Sequence, residues 1–506
     1  MSSDVTRRGF IGGVATGSVG LALVGCDTGS AARKSAAGAR SQASHTAATA
    51  DVQRFVSRPD LAPPAVTITG SAPASAPGYI FIAPEGAGPG QSGAMIVSTG
   101  GDLIWFSPGS TAEERMDLNT QVYDGQPALT WYQGPITKAG IGEGVAVIAG
   151  SDYRRQHDVH AANGLNADLH ECVLTSQGTA LVTAYRPRAA DLSAIGGLTD
   201  GYVLSSVAQE IDLATGALLF EWDSLDHVPV TETYLKLVGG ARTNPFDYFH
   251  INSIAVGPDG DLLISSRNTW SVYKVGRPGG QVVWRLGGKR SSFTLGPGAR
   301  FYWQHCVRPV GSSMLSVFDD GATPAEEKQS RAIVLDLDTS TMQAALVRQY
   351  IHPDIGPGKT VLAGYMGSAQ VLPDGSMFVG WGEVPRFTLF SADGRIELDG
   401  RILSNDPSYR AFLHDWAGHP TEPPAASARH RTDGATVFAS WNGATEIASW
   451  RVLAGMSPGT LAFAGSAPRS GFETAIRVRS KGPYFAAVPC DLAGRQLARS
   501  ATVKLQ

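Results

Sequence analysis

An all-β chain assembled from repeated four-stranded antiparallel units is the fold this sequence predicts, and three observations carry the prediction. Short stretches of alternating apolar and polar residues recur along most of the chain, separated by turns such as TGG at 99–101, TSQG at 175–178, PDG at 258–260 and ADG at 392–394. Glycine and proline number 60 and 30 in 506 residues, enough to end a strand every few residues, and helical periodicity is scarce. The third observation is an internal repeat. DLHECVLTSQGTALVTAY (168–185), YFHINSIAVGPDGDLLISSR (248–267) and WQHCVRPVGSSMLSVFDD (303–320) each pass from a histidine through an apolar strand and a tight turn into a second apolar strand.

The later strands complete each unit. VAQEIDLATGALLFEWDS (207–224), SVYKVGRPGGQVVWRLGG (271–288), AIVLDLDTSTMQAALVRQY (332–350) and FTLFSADGRIELDGRI (387–402) each read as strand, turn, strand. Four strands per unit is the blade of a β-propeller. A further unit opens near Tyr365 in YMGSAQVLPDGSMFVGWG, and the unit opening at His170 carries the insert RPRAADLSAIGGLTDGY (186–202). Inserts on one rim commonly shape the mouth of a site. GYIFIAPEG, GAMIVSTGGDLIWFSPG, PALTWYQG and GVAVIAGSDY supply at least one blade before this run, and ATVFASWNGATEIASWRVLAG with the strands of 472–506 supplies another. The expected fold is therefore a six-bladed β-propeller of four-stranded antiparallel blades, with five or seven as alternatives. Closure by a strand from the far terminus, drawn from residues 60–110, would remove the exposed edge.

Residues 1–26 read as an address rather than as fold. Thr6-Arg7-Arg8-Gly9-Phe10-Ile11 is a twin-arginine pattern, and Leu23-Val24-Gly25-Cys26 follows an apolar stretch as a lipobox. Lipidation of Cys26 would anchor an exported protein to the outer face of the cytoplasmic membrane. Residues 27–55 are rich in Ala, Ser, Gly and Thr and read as a flexible tether, leaving 56–506 as one propeller domain. The rest of the chain has no apolar run of membrane-spanning length. Cys172, Cys306 and Cys490 then remain, an odd number without CxxC or His/Cys metal spacing, so a disulfide scaffold is not expected, while a pair among them stays open.

A formal net charge of −4, with no basic patch interleaved with aromatics, argues against nucleic acid as a partner. Gly140-Ile141-Gly142-Glu143-Gly144 lacks the strand-turn-helix setting of a dinucleotide fingerprint, and Gly287-Gly288-Lys289-Arg290 lacks P-loop spacing, so no nucleotide cofactor is expected. His157 and His160 have a metal-like spacing but no carboxylate-rich companions, and no metal is assigned.

In a radial repeat, equivalent positions at one end of the innermost strands converge on the axis, which would bring His170, His250 and His305 into one channel. Aligning the turns at Gly178, Gly260, Gly311 and Gly375 places Tyr185, Arg267, Phe318 and Gly382 seven residues on. A guanidinium there is costly to desolvate unless an anion meets it. Asn252, two residues after His250, is expected on the same strand face. An imidazole, an amide and a guanidinium would thus face one cluster of anionic oxygens. Tyr302 and Trp303, with Tyr248 and Phe249, are candidates for a wall against an aromatic ligand.

These residues carry a resemblance. DLHE (168–171), YFHINSI (248–254), LLISSRNTWSVYKV (262–275), VVWRLGGKRSSFTLGPGARFYWQH (282–305) and SWNGATEIASWRVLAG (440–455) resemble the bacterial arylsulfotransferase family in its actinobacterial and fungal branch, over most of residues 75–460. The resemblance implies transfer of a sulfuryl group from an aryl sulfate to a phenol through a sulfohistidine, without nucleotide cofactor. It also implies a role for each residue: His305 as nucleophile, His250, Asn252 and Arg267 gripping the sulfuryl oxygens, and His170 contacting the transferred group or taking the phenol proton. Cys306 departs from the acidic residue or Ala that often follows the nucleophile in related chains, which leaves open what orients the His305 ring. Two other classes stay open on the residues alone: a metal-dependent propeller hydrolase such as a lactonase, which needs carboxylates at the axial ends, and a non-catalytic lipid-anchored propeller that binds an anionic aromatic.

Overall fold

The computed structural model describes residues 51–506 except residues 87 and 111. The twin-arginine pattern, Cys26 and the tether up to residue 50 lie outside the described residues. Strands dominate; the described residues include one helical turn at Ser224–His227, a 3-10 turn at Ser193–Ile195 within the 186–202 insert, and another at Val230–Glu232.

Six sheets are four-stranded antiparallel meanders or extend one. The first holds Tyr79–Pro84, Gly93–Ser98 and Leu103–Pro108, and its inner edge is Ser408–His414, paired with Tyr79–Pro84 in the register Tyr79↔His414. The second runs from Glu114–Tyr123 to Arg155–Val159, and the third from Cys172–Leu174 to Leu218–Asp223. The fourth runs from Ile251–Val256 to Val282–Gly287, and the fifth from His305–Val310 to Gln343–Tyr350. The sixth runs from Ser368–Val371 to Ile396–Ile402, with Val66–Gly70 added on its outer edge. The 60–110 region therefore contributes both an outer strand to the last sheet and the sheet completed by Ser408–His414.

Strand alternation places each strand's two faces in two different cores. Ile80 and Ile82 pack with Phe378, Leu389 and Leu398 of the sixth sheet, whereas Phe81 between them packs with Leu129 and Val147 of the second. The same division recurs at Leu181 against Ala180 and Val182, and at Ile254 against Ala255. Side chains of the two inner strands also reach the next sheet's backbone. Gln121 Nε2 donates to Cys172 O at 2.8 Å, Tyr185 Oη to Ile251 O at 2.9 Å, Asn252 Nδ2 to Gln304 O at 2.6 Å, and Ser368 Oγ to Ala411 O at 2.8 Å.

Two expectations change. Residues 435–506 do not form another meander. Gly434–Ser440 pairs with Ala425–Arg431 and Glu473–Val478, while Ser449–Gly455 pairs with Ala462–Pro468 and Tyr484–Cys490. The two sheets enclose a core of their own around Val437, Trp450, Val452, Ile476 and Phe485. Alternation tells which face of a strand is apolar but not which strand it will pair with. The N-terminal region supplies two sheets, in keeping with the expectation of at least one. The packed chain also begins before residue 56: Val52 bridges to Pro64, and the Phe55 ring lies 4.5 Å from that of Phe472.

Candidate active site

His170, His250 and His305 come together at one end of the innermost strands. The rings of His170 and His250 are 4.9 Å apart and nearly perpendicular, and Tyr409 lies beside both His170, at 5.6 Å, and His305, at 6.5 Å. The second-strand positions align as the turn register predicts: Phe318 pairs with His305, and Arg267 N donates to His250 O at 3.0 Å.

Local backbone strain aims these side chains. His250, Trp270, Trp303, Cys306 and Met366 all have φ between 49 and 69°, a left-handed region that non-glycine residues seldom occupy. Such strain gathers where the surrounding structure overdetermines a functional geometry. Register shifts between His305 and Arg308, and between Ile251 and Ser253, add bulges at the same places.

Each of the three histidines is held at Nδ1 by a carboxylate. Asp168 Oδ2 lies 2.6 Å from His170 Nδ1, Asp247 Oδ2 lies 2.5 Å from His250 Nδ1, and Asp320 Oδ2 lies 2.8 Å from His305 Nδ1. Asp168 also accepts from Gly142 N, His170 N and Thr183 Oγ1. Burial works to raise its carboxyl, but the His170 ring and these donors together hold it below the ordinary value. Met366 N donates to His305 Nε2 at 3.3 Å, so Nε2 carries a lone pair and the ring proton sits on Nδ1 toward Asp320. Burial, then the nearby charges of Arg267, His250 and His170, push His305 well below the usual histidine range. Burial likewise lowers His250. Burial pushes Asp320 up, and the Arg267 guanidinium opposes it.

Arg267 donates to Gly364 O at 2.8 Å and to Asn268 Oδ1 at 3.0 Å, and its guanidinium stacks 4.8 Å above the Trp303 ring. Burial lowers Arg267 from the ordinary arginine value, while Asp320 and Asp247 work to keep its charge. Of the three histidine side chains, His250 is the most accessible, at 14% against 4% for His170 and 2% for His305.

Several residues fall elsewhere than alternation places them. Asn252 lies in the bulge after His250; its amide donates to Gln304 O at 2.6 Å, and its fully buried Oδ1 has no protein partner. The left-handed turn at His250 and the bulge cancel the expected common face, and Asn252 ties two sheets together. Trp303, Tyr248 and Phe249 are buried packing residues, with Trp303 Nε1 bonded to Pro324 O. Tyr302 remains half-buried, edge-on to Trp270, which itself stacks on Tyr234. Cys172, Cys306 and Cys490 are all free thiols. Among the described residues, no group of three or more His, Cys, Asp or Glu side chains is placed to hold a metal ion.

Sequence reading missed an ion network behind the histidines. Arg410, on the strand that completes the first sheet, contacts Asp117 at 3.0 Å, Glu171 at 3.1 Å, and the backbone oxygens of His170 and Asn252 at 2.9 Å each. Arg308 meets Glu171 at 2.7 Å. Burial raises Asp117 to about 6; on Glu171 the two guanidinium groups outweigh burial and hold it low. Asp168 and Asp247 precede their histidines by two and three residues and are visible in the sequence as partners. Asp320 and Arg410 reach the site only through pairing of distant strands.

The arrangement combines a buried imidazole whose Nε2 accepts only a long 3.3 Å hydrogen bond from Met366 N, a guanidinium, and two further imidazoles whose Nε2 atoms make no protein hydrogen bond among the described residues. It suits attack on an electrophile that carries anionic oxygens. The family model for Arylsulfotransferase (ASST) matches residues 119–402, which include all four of His170, His250, Arg267 and His305. The chain belongs to the arylsulfotransferase family, whose substrates are aryl sulfates and phenols. No curated protein sequence matches the chain. Among solved structures, a protein of unknown function from Bacteroides caccae is 12% identical with a TM-score of 0.40, covering 66% of this chain and 98% of that one. The periplasmic gluconolactonase of Pseudomonas aeruginosa is 12% identical with a TM-score of 0.35, covering 85% and 96%.

Proposed function

We propose that this protein is an exported, lipid-anchored arylsulfate sulfotransferase built on a six-bladed propeller, with His305 as the nucleophile. Six consecutive four-stranded sheets, six cores each shared by two sheets, and the pairing of Ser408–His414 with Tyr79–Pro84 support the propeller. The observation that carries the chemistry is the His305 ring, with Nδ1 2.8 Å from Asp320, Nε2 accepting from Met366 N at 3.3 Å, and the Arg267 charge near enough to lower it.

In the first half-reaction His305 Nε2 attacks the sulfur of an aryl sulfate, the sulfur–aryl oxygen bond breaks, and the phenolate leaves with the electron pair. Arg267 offsets charge on the sulfuryl oxygens in a loose transition state, by analogy with phosphoryl transfer. In the second, a phenol oxygen attacks the same sulfur, the S–N bond breaks, and the phenolic proton passes to the free Nε2 of His170 or His250. No nucleotide takes part.

The test is incubation of residues 27–506 with 4-nitrophenyl sulfate and a phenol acceptor, following nitrophenolate and the intact protein mass. Phenol-dependent release with an SO₃ adduct on His305, absent in His305→Ala, is expected. Absence of both release and adduct across several aryl sulfates would leave a binding protein, and release dependent on added calcium would point to a hydrolase. Twin-arginine export and Cys26 anchoring are tested separately: Arg7→Lys/Arg8→Lys should retain the protein in the cytoplasm, and Cys26→Ala should release it from membranes.

A further inference from the structure

We infer that Asp320 is the positioning residue of the reaction, pinning the ring proton of His305 on Nδ1 so that the lone pair falls on Nε2. The inference deepens the transferase reading and rests on it for its kinetic consequence, though not for the ring's protonation.

Four observations support it. Asp320 and His305 side chains are 0% and 2% exposed, so water does not compete for Nδ1. Asp320 is itself held in place: it follows the strand Met314–Asp319 that pairs with His305, its carbonyl accepts from Ser330 Oγ at 2.6 Å, and its neighbour Asp319 is gripped by Arg331 at 2.9 Å and by Tyr302 N at 2.8 Å. The second nitrogen meets only the backbone N–H of Met366, whose 3.3 Å bond accommodates a lone pair there but is too long to fix the tautomer without Asp320. Finally, Cys306 stands directly after His305 in a left-handed turn and makes no hydrogen bond to the ring, so the orienting acceptor comes from the adjacent strand instead.

The chemistry needs this arrangement. When Nε2 forms its bond to sulfur, the Nδ1 proton stays and the ring becomes an N-sulfonated imidazolium. A carboxylate at Nδ1 stabilises that charge as it develops, whereas an amide can turn its NH₂ toward Nδ1, which moves the ring proton to Nε2 and removes the nucleophile. A residue that merely filled space would leave the ring tautomer unchanged.

The test uses protein labelled with ¹⁵N-histidine, with the His305 signals assigned by comparison with His305→Gln. In the wild-type protein at rest, nitrogen shifts should place the proton on Nδ1; a proton on Nε2 overturns the inference whether or not any variant folds. In Asp320→Asn, whose side chain has the same shape, the proton should move to Nε2, and the rate of adduct formation from 4-nitrophenyl sulfate should fall by about 10²–10⁴-fold. Asp320→Glu should recover part of that loss. Adduct formation at the wild-type rate in folded Asp320→Asn would sink the proposal. Failure of the transferase reading looks different: no adduct in the wild-type protein, or an adduct that persists in His305→Gln, with the resting tautomer still deciding the role of Asp320.

Discussion

Replacing Arg410 with Met removes a cation that contacts residues of three neighbouring sheets besides its own while keeping the aliphatic stem. The guanidinium lies 3.0 Å from Asp117 and 3.1 Å from Glu171 and binds two backbone oxygens, all in the buried interior. Removing one partner of a buried ion pair costs about 3–5 kcal/mol, because the remaining charge is left uncompensated. Here two carboxylates lose their partner and only Arg308 remains, on Glu171 alone. Asp117, already raised to about 6 by burial, would rise further in the variant and take up a proton. The cost should therefore be full above that raised value and shrink as pH falls through it, by up to about 1.4 kcal/mol per pH unit for one carboxyl. Urea unfolding followed by tryptophan fluorescence at pH 8 and pH 5.5 measures this. The double variant Asp117→Asn/Arg410→Met should regain part of the loss at pH 8. A destabilisation under about 1 kcal/mol, equal at both pH values, would refute the view that Arg410 compensates buried charge.

Three further outcomes are expected. Arg267→Lys keeps a cation but loses the fork that reaches Gly364 O and stacks on Trp303, and should lower kcat with 4-nitrophenyl sulfate by about 10²–10³-fold with an intact fold. Because burial and the Arg267 charge depress His305 below the ordinary histidine range, the first half-reaction should hold its rate as pH falls through 6.5 and decline only at lower pH; a midpoint at or above 6.5 in single-turnover measurements contradicts this. His414, bonded to Asn119 Oδ1 at 2.9 Å and lowered by burial to about 4, stays neutral in the fold where the unfolded chain would protonate it. Its contribution to stability is thus intact above 6.5 and lost as pH falls from there toward 4, and His414→Gln should flatten the stability profile across that window.

How much of the site could be read beforehand depended on how far apart in the chain its parts lie. The three histidines and Arg267 occupy repeated positions, so a register argument brings them together without coordinates. The Asn252 prediction failed because alternation presumes regular strand, and His250 at φ 57° followed by a bulge is not regular. Trp303 illustrates a second limit: its aromatic ring is evident, but only packing reveals that it lies under Arg267 rather than against a ligand. The misassigned C-terminal region has the same origin as the missed Asp320 and Arg410, since each depends on pairing between distant segments.

The sequence by itself determined the all-β character, the four-stranded unit and the family, and it brought three histidines and Arg267 to one register, because period-two alternation, turn residues and a repeated histidine are local signals. Only the tertiary structure decided that each of the three histidines has its own aspartate, that the His305 lone pair is on Nε2, that Arg410 neutralises buried acids, and that residues 425–504 form separate sheets. Those outcomes arise from nonlocal pairing, in which the free energy of a contact depends on what a distant strand brings to it, and no short stretch of sequence encodes its partner.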